Sequence, residues 1–332
     1  FKNGTRYEIT LTDIKGNALF NQSVVINING VDYVRFTDKD GKASIGLNLN
    51  TGNYTVTVTY NGTEDYTKSS ITNNVTILST VESKNITKIY RNDTQYHAAF
   101  VDGTGKVLAD KEVTFNINGV LYKRTTNASG VATLNINLNS GTYILTAINP
   151  VNNEMVASTV TVLCTIQGNN ITKYFQNGTQ YSATFLNKDG SLLTNTEVTF
   201  NINGVFYKRN TNANGVATLN INLNSGTYIL TAINPVNGEM YSNTIKVLPT
   251  STGENLVKTY GNPDQYKAKL VDGVGKPVNG VNITMNINGI FYNKLTDSNG
   301  VASLNINLMP GEYIITSSYG QAVVSNTIKV NR

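Results

Sequence analysis

The chain has 332 residues, of which 39% are hydrophobic and 14% charged, and its formal net charge is +5. The apolar content suffices for a folded core and argues against disorder, and no run of Lys or Arg is long enough to follow a nucleic-acid backbone. No apolar stretch reaches the ~20 residues of a membrane span, and no signal peptide is evident. The start at Phe1 predicts a mature product or an excerpt.

Four copies of one pattern follow each other along the chain. An Asn-Gly turn or its equivalent ends at positions 30, 119, 204 and 289, at intervals of 89, 85 and 85 residues. An opening tyrosine, a second glycine and a Gly-x-Tyr keep the same intervals. Because equal periods indicate repeated structural units, we predict four domains, at residues 1–80, 81–165, 166–250 and 251–332. The opening tyrosines are Tyr7, Tyr96, Tyr181 and Tyr266.

The second and third repeats are nearly identical over their central part. Val113–Met155 and Val198–Met240 agree at 39 of 43 positions. Such agreement indicates recent duplication, and an array that grows by duplication is selected partly for its length or for its number of modules.

The third repeat shows the predicted strands in chain order. Apolar and polar residues alternate in short runs, which is typical of half-buried strands. Asn203-Gly204 between two such runs predicts a hairpin with a type I′ turn. Within Val216–Leu223 we expect the apolar side chains to face inward, and Asn220 and Asn222 to face outward. The predicted strands are Ile171–Phe175, Gln180–Leu186, Val198–Ile202, Val205–Tyr207, Val216–Leu223, Tyr228–Ile233 and Asn243–Leu248.

About seven short strands per repeat, with turns every 8–12 residues and no helical period, predict an all-β fold. The pattern favours an immunoglobulin-like (Ig-like) antiparallel β-sandwich. We expect four such domains in tandem, forming an elongated rod. The chain has no Trp, so the Cys…Trp…Cys pattern of antibody domains is absent.

Four segments of the third repeat resemble the repeats of archaeal adhesin-like surface proteins of methanogens. They are Lys173–Tyr181, Phe200–Tyr207, Asn214–Leu223 and Asn224–Tyr228. The resemblance covers nearly the whole chain, although the first repeat departs from it at Asp32 and Gly46. It implies extracellular, wall-associated Ig-like modules with a role in attachment, and it supplies no ligand and no functional residue.

Histidine and cysteine each occur once, as His97 and Cys164. A zinc site usually takes three or four ligands, and a His-based triad needs its base beside a nucleophile. We therefore predict no catalytic residue, no metal and no cofactor. We expect His97 to be a strand residue and Cys164 to be a small buried residue in the last strand of the second repeat. One cysteine cannot form an intrachain disulfide.

Eleven Asn-x-Ser/Thr sequons suit a secreted surface protein, where such sites accept N-linked glycans. A chain rich in Asn and Thr also produces sequons by composition alone, and both interpretations stay open. We expect strand sequons such as Asn74 to be poorer acceptors than turn sequons such as Asn177. The eleven asparagines are Asn3, Asn21, Asn53, Asn61, Asn74, Asn85, Asn92, Asn127, Asn170, Asn177 and Asn282.

A Lys–Asn amide cross-link is a second hypothesis, because some surface modules of this shape join a first-strand lysine to a last-strand asparagine. Lys173 with Asn243, and Lys258 with Asn326, occupy suitable strands. Against the cross-link, the second repeat has a serine in place of the asparagine, and no Asp or Glu recurs at an inward strand position to transfer protons. The alternative is an exposed lysine and an asparagine at a sheet edge.

Two turns with carboxylates, Asp38–Gly41 and Asp297–Gly300, could be interpreted as calcium loops. Calcium takes six to eight oxygens, and the equivalent turns Asn127–Gly130 and Asn212–Gly215 have no carboxylate. Because Asp, Asn and Gly are all turn formers, turn chemistry explains the four segments, and we favour it.

Outward asparagines repeat along one face of the last three repeats. Their amides could bond sugar hydroxyls, with a ring such as Tyr207 stacked on the sugar. The favoured alternative is a neutral solvated face, because carbohydrate sites usually show a cleft or an exposed Trp. These asparagines are Asn135, Asn137, Asn220, Asn222, Asn305 and Asn307.

The sequence favours a non-enzymatic, adhesin-like stalk segment that projects from a cell and mediates or presents attachment to a cell-surface or glycan ligand. Weak contacts would gain strength through multivalency. One alternative is a structural subunit of an extracellular filament, assembled by edge-strand pairing between chains. Another is a set of accessory repeats in a surface enzyme. We expect an extracellular location at the cell surface or wall, with no nucleic-acid partner and no membrane contact within this segment.

Overall fold

The computed structural model describes residues 1–332, and its regular elements are all β-strands. No helix is long and apolar enough to span a membrane. The chain divides into two compact units, Phe1–Leu163 and Cys164–Arg332. Each unit holds two modules, and each module is a pair of sheets. The predicted fold class, four tandem Ig-like β-sandwiches, is confirmed, whereas the proposed domain limits stay predictions.

The first module has six strands and each later module has eight. The first comprises β1 (Arg6–Thr10), β2 (Ser23–Ile28), β3 (Val31–Phe36), β4 (Lys42–Gly46), β5 (Gly52–Tyr60) and β6 (Ser69–Ile77). The second comprises β7 (Val81–Ser83), β8 (Ile86–Ile89), β9 (Gln95–Phe100), β10 (Glu112–Ile117), β11 (Val120–Thr125), β12 (Val131–Asn135), β13 (Gly141–Ile148) and β14 (Met155–Leu163).

The third and fourth modules repeat the order of the second. The third comprises β15 (Ile166–Gly168), β16 (Ile171–Tyr174), β17 (Gln180–Phe185), β18 (Glu197–Ile202), β19 (Val205–Asn210), β20 (Val216–Asn220), β21 (Gly226–Ile233) and β22 (Met240–Leu248). The fourth comprises β23 (Ser251–Gly253), β24 (Leu256–Thr259), β25 (Gln265–Leu270), β26 (Asn282–Ile287), β27 (Ile290–Leu295), β28 (Val301–Asn305), β29 (Gly311–Tyr319) and β30 (Ala322–Asn331).

Each later module packs a three-stranded sheet against a five-stranded one. In the third module the orders are β15-β17-β20 and β16-β22-β21-β18-β19. One pair departs from the antiparallel prediction, because β16 runs parallel to β22 with Ile171 beside Ile245. The chain crosses from the small sheet to the large one between Gly168 and Ile171, so it meets the last strand in the same direction. The pairs β8–β14 and β24–β30 repeat this arrangement.

The Asn-Gly hairpins form as predicted. Asn203 and Gly204 have φ values of +57° and +75°, and the equivalent residues of the other three modules also have positive φ. Positive φ at both central residues defines the type I′ turn, which asparagine and glycine tolerate. These turns fix the register of β18 against β19, in which Phe200 lies opposite Tyr207.

Each core is built on the inward residues of both sheets. Tyr181 and Phe200 are fully buried, and their rings meet edge to face with centroids 5.5 Å apart. Leu219 and Ile221 are buried, whereas Asn220 and Asn222 are exposed, as the alternation predicts. Burying the apolar side chains on one face therefore leaves the asparagines on the other.

The sequence predicted the position of the single histidine correctly, but not that of the single cysteine. His97 lies in β9 as expected, is exposed, and has its Nδ1 3.0 Å from Thr133 Oγ1. Cys164 is not in the last strand of the second module, because β14 ends at Leu163. The cysteine follows that strand, is half-buried, and packs against the core of the third module. The prediction for Cys164 was therefore wrong.

Candidate functional site

The opening tyrosine is buried in the last three modules, where its hydroxyl donates a hydrogen bond, whereas Tyr7 of the first module is half-buried and accepts from Asn73 Nδ2. Tyr181 Oη donates to Asn243 Oδ1 at 2.7 Å, and Tyr266 Oη donates to Asn326 Oδ1 at 2.8 Å. Burial raises the pKa of the Tyr181 and Tyr266 phenols, because it disfavours the charged form. In the third and fourth modules the last-strand asparagine is thus the partner of the tyrosine.

The two lysines of the cross-link hypothesis lie in the second strand of their modules and are buried rather than exposed. Asn243 and Asn326 lie on strands inside the five-stranded sheets rather than at an edge, so both parts of the alternative to the cross-link are wrong. Lys173 is 4% exposed, and its Nζ donates to the carbonyls of Asn177, Thr179 and Ile221. Lys258 repeats this pattern in the fourth module. Burial lowers the pKa of the Lys173 ammonium, because desolvation disfavours its charge. Each lysine therefore donates to three carbonyls in the segments between strands.

The structure does not bring the lysines and asparagines of the proposed cross-link together. Lys173 lies in register with Val247, four residues along β22 from Asn243, which is about 13 Å of strand. The Asn243 amide instead donates to the Gly168 carbonyl at 3.2 Å. The amide cross-link stays a prediction, and a bond between these atoms would need a different register.

Buried carboxylates, which the sequence reasoning missed, lie in a loop at one end of the second and third modules. Glu239 Oε2 accepts hydrogen bonds from the backbone N and the Oγ1 of Thr165, both at 2.6 Å. Glu154 makes the same two bonds to Thr80. Both glutamates precede the last strand by one residue, at the end opposite to Lys173. Their 85-residue interval was the signal that could have found them.

The sequons lie mostly on exposed positions. Asn74 is exposed on the edge strand β6. Asn177 is half-buried, and its Nδ2, the atom that would carry a glycan, donates to the Gly273 carbonyl at 2.5 Å. Asn92 is the other half-buried member of the set. Glycosylation stays a prediction, but the placement favours Asn74 over Asn177, which reverses the order expected from the sequence.

The candidate calcium turns make the hydrogen bonds of ordinary turns. Asp38 Oδ1 accepts from the backbone N of Asp40 and Lys42. Asn127 Oδ1 accepts from the equivalent nitrogens of Ser129 and Val131. An amide oxygen and a carboxylate oxygen therefore accept equivalent backbone hydrogen bonds in these turns, as expected for an Asx turn. No group of three or more His, Cys, Asp or Glu side chains is placed to hold a metal ion.

The outward asparagines of the second module line a groove at the seam between its two sheets. Tyr122 and Arg124 of β11 and Asn135 and Asn137 from β12 and the turn after it border a cavity of about 230 Å³. The Tyr122 ring is half-buried against the core. Arg124 Cζ lies 6.0 Å from the ring centroid. We call this set the Tyr–Arg–Asn groove.

The third module repeats the Tyr–Arg–Asn groove without substitution, as Tyr207, Arg209, Asn220 and Asn222. Arg209 Cζ lies 5.8 Å from the Tyr207 ring centroid. The structure thus combines the asparagines and the tyrosine singled out in the sequence, and it adds an arginine that the sequence reasoning missed. The repeated Tyr-x-Arg spacing was the signal for it.

The outer modules hold altered versions of the groove. The first has Tyr33 and Arg35, with the guanidinium 5.9 Å from the ring centroid, but Gly46 replaces the first asparagine. The fourth keeps both asparagines and the tyrosine but replaces the arginine with Lys294. The complete set is therefore present in the two central modules.

No family model matches the chain, and no curated protein matches it. Solved structures do match. A Ca²⁺-stabilised adhesin with which an Antarctic bacterium binds ice is 17% identical, with 98% of this chain and 94% of that one covered and a TM-score of 0.20. A Bacteroides ovatus protein of a mixed-linkage glucan utilisation locus, solved with a mixed-linkage heptasaccharide, is 13% identical, with 91% and 85% covered and a TM-score of 0.22.

The four N-terminal Ig domains of a Dscam1 isoform also match. They are 12% identical, with 99% of this chain and 95% of that one covered and a TM-score of 0.20. Similarity at this level concerns the fold alone.

Proposed function

We propose that the chain is a non-enzymatic, adhesin-like segment of a cell-surface protein, located outside the cell at its surface or wall. The observation that carries the proposal is the surface groove of the second module, whose four polar and aromatic side chains recur at the equivalent positions of the third. Duplication alone would repeat the groove in the second and third modules, but the less similar fourth module also keeps three of the four side chains, as Tyr292, Asn305 and Asn307. The resemblance to methanogen adhesin-like repeats supports the same assignment.

Attachment in this proposal arises from many weak contacts. Each module offers a small site, and linked sites gain effective concentration when one of them is engaged. The sites are preformed, because type I′ turns and half-buried tyrosines fix the strands that hold them. A preformed site loses little conformational entropy on binding.

The experiment that tests this function is binding of the full chain to whole microbial cells and to a glycan array. Beads coated with the chain at several densities should bind with a steep dependence on density, as multivalency requires. A monomeric β-sandwich of similar size and net charge on the same beads is the control. Absence of binding to both cells and glycans would make the segment a spacer and refute a direct role in attachment.

A second candidate function, a filament subunit, is favoured by the edge strands. β11, β19 and β27 each end a five-stranded sheet, and Val205 and Phe206 on β19 are half or more exposed. Unpaired strand edges with apolar side chains are templates for pairing with another chain. Fibres in negative-stain microscopy that disappear in Phe206→Lys would support this function, and a monomer at high concentration would refute it.

A further inference from the structure

We propose that the Tyr–Arg–Asn grooves of the second and third modules bind a carboxylate-bearing sugar unit of an acidic polysaccharide. The inference rests on the proposed function, because it names the ligand class of an attachment surface. It deepens that function by assigning the contact to four side chains per module.

The first argument is the charge of the groove. Arg124 Nη1 donates to the Lys123 carbonyl at 2.6 Å, and a guanidinium has four further N–H donors. The chain has three ion pairs, and all three involve lysines. No Asp or Glu lines the cavity. The arginine charge therefore faces the groove without a carboxylate partner, and a guanidinium fork matches a carboxylate in two parallel hydrogen bonds.

The second argument is the direction of the remaining hydrogen bonds. Asn135 Oδ1 accepts from Gln95 Nε2 at 2.5 Å, so one of its two acceptor sites is used and both amide N–H donors are left over. Asn220 makes the same bond with Gln180 in the third module. A groove whose free groups are mainly donors suits a ligand rich in acceptor oxygens, which a carboxylate and ring hydroxyls supply.

The third argument is the apolar side of the cavity. The half-buried ring of Tyr122 and the side chain of Leu138 lie beside the polar groups. Sugar rings have apolar C–H faces, which pack on such surfaces while the edge of the ring makes hydrogen bonds. A simple anion such as phosphate would leave this wall unused. A neutral sugar would leave the guanidinium unpaired. A sugar acid contacts the apolar wall with its ring and pairs with the guanidinium through its carboxylate.

The test measures binding of the full chain to immobilised polygalacturonate and alginate, each beside its methyl ester. Esterification keeps the sugar ring and removes the charge. We expect binding to the acids that is at least about tenfold tighter than binding to the esters, the size of a charge-assisted hydrogen bond. The double variant Arg124→Gln/Arg209→Gln should lose the same factor.

Lys123→Gln/Lys208→Gln is the matched control. It removes the same two charges, but residues 123 and 208 point to the opposite face of the sheet, where they pair with Glu112 and Glu197. Its affinity for the acids should change less than about twofold. Thermal unfolding of both double variants verifies that each remains folded.

Three outcomes overturn the groove assignment. Equal losses in the arginine and lysine variants would assign binding to net charge, equal binding of acid and ester would remove the role of the carboxylate, and no binding to either acid would refute the ligand class. Cell attachment separates this proposal from the function on which it rests. If the arginine variant still attaches to cells as wild type does, the adhesive function stands and the groove is not its site.

Discussion

The second and third modules have nearly the same sequence, yet each holds its buried tyrosine with a different pair of residues. In the second module, Tyr96 Oη donates to Ser158 Oγ at 3.0 Å, and Ser83 Oγ lies 2.9 Å from Ser158 Oγ. In the third, Gly168 and Asn243 occupy the two serine positions. The fourth module follows the third, with Gly253 and Asn326.

Steric fit explains why the residues at positions 168 and 243 both differ from their equivalents in the second module. A Cβ on Gly168 would lie 2.2 Å from Tyr181 Oη and 2.7 Å from Asn243 Oδ1, which is closer than real atoms approach. Asparagine is larger than serine, so its presence on the last strand requires glycine on the facing strand. The tyrosine hydroxyl is satisfied in both modules, and the residue at one position is therefore set by its neighbour.

The largest effect on stability is expected from a substitution that makes residues 168 and 243 sterically incompatible. Gly168→Ser alone should destabilise the third module by about 2–3 kcal/mol, because the added atoms overpack a buried site. The double variant Gly168→Ser/Asn243→Ser recreates the pair of the second module and should recover most of the loss. Because a chain of several modules need not unfold in one transition, hydrogen exchange of third-module peptides is the suitable measurement.

Whether the stability changes of Gly168→Ser and Asn243→Ser are additive tests the steric explanation for the two residue pairs. Independent sites would give additive changes, in which case the double variant would be at least as unstable as Gly168→Ser. That result would mean that the serine pair of the second module depends on other differences. Peptides from the fourth module serve as the internal reference.

A smaller effect is expected at the buried glutamates. Ser79 Oγ lies 2.9 Å from Glu154 Oε1, whereas Glu239 Oε1 has no hydrogen-bond partner and Cys164 replaces the serine. Cys164→Ser should stabilise the third module, and Ser79→Ala should destabilise the second, each by about 1 kcal/mol. Exchange rates of peptides from each module measure both changes. A loss of stability in Cys164→Ser would show that the thiol fits this loop better than a hydroxyl does.

The smallest expected effect on stability comes from the ionisation of Tyr181 and is seen only at high pH. Tyr181 has a raised pKa in the folded chain, so above about pH 10 the unfolded chain releases a proton that the folded chain keeps. The folded state then binds more protons than the unfolded state, and stability falls as pH rises. Between pH 10.5 and 12, Tyr181→Phe should show a shallower loss of stability than wild type in pH-dependent thermal unfolding. An identical slope would show that the phenol ionises freely in the folded chain.

Much of each module could be predicted because local patterns determine it. Alternation predicted β18 and β20, and the turn signals between apolar runs predicted β19, β21 and β22. The Asn-Gly pairs fixed the hairpins, since few residues other than asparagine and glycine adopt their φ values readily. The short strand β15 was missed, because three residues carry too little periodicity. The parallel pairing of β16 with β22 depends on where the chain changes sheets, which no local pattern encodes.

The candidate site was predicted in part, because local patterns also determine which side chains face outward. The outward direction of Asn220 and Asn222 follows from alternation, and Tyr207 was linked to them by hypothesis. Arg209 joins them only because β19 ends its sheet beside β20. Exposure of Lys173, the alternative to the cross-link, follows the usual behaviour of lysines. Its buried position brings it to the Ile221 carbonyl, 48 residues away, which no local pattern indicates.

The matched pairs at the buried tyrosine also bear on how neighbouring repeats avoid misassembly. Tandem domains of similar sequence tend to exchange strands during folding, and the 43-residue stretch shared by the second and third modules offers little to prevent it. An exchange of last strands would place Asn243 against Ser83, where the room that Gly168 provides is missing. The same exchange would leave Ser158 beside Gly168, with a gap at the tyrosine hydroxyl. The second and third modules therefore each fit their own final strand better than the other's, and the two differences disfavour an exchange between them.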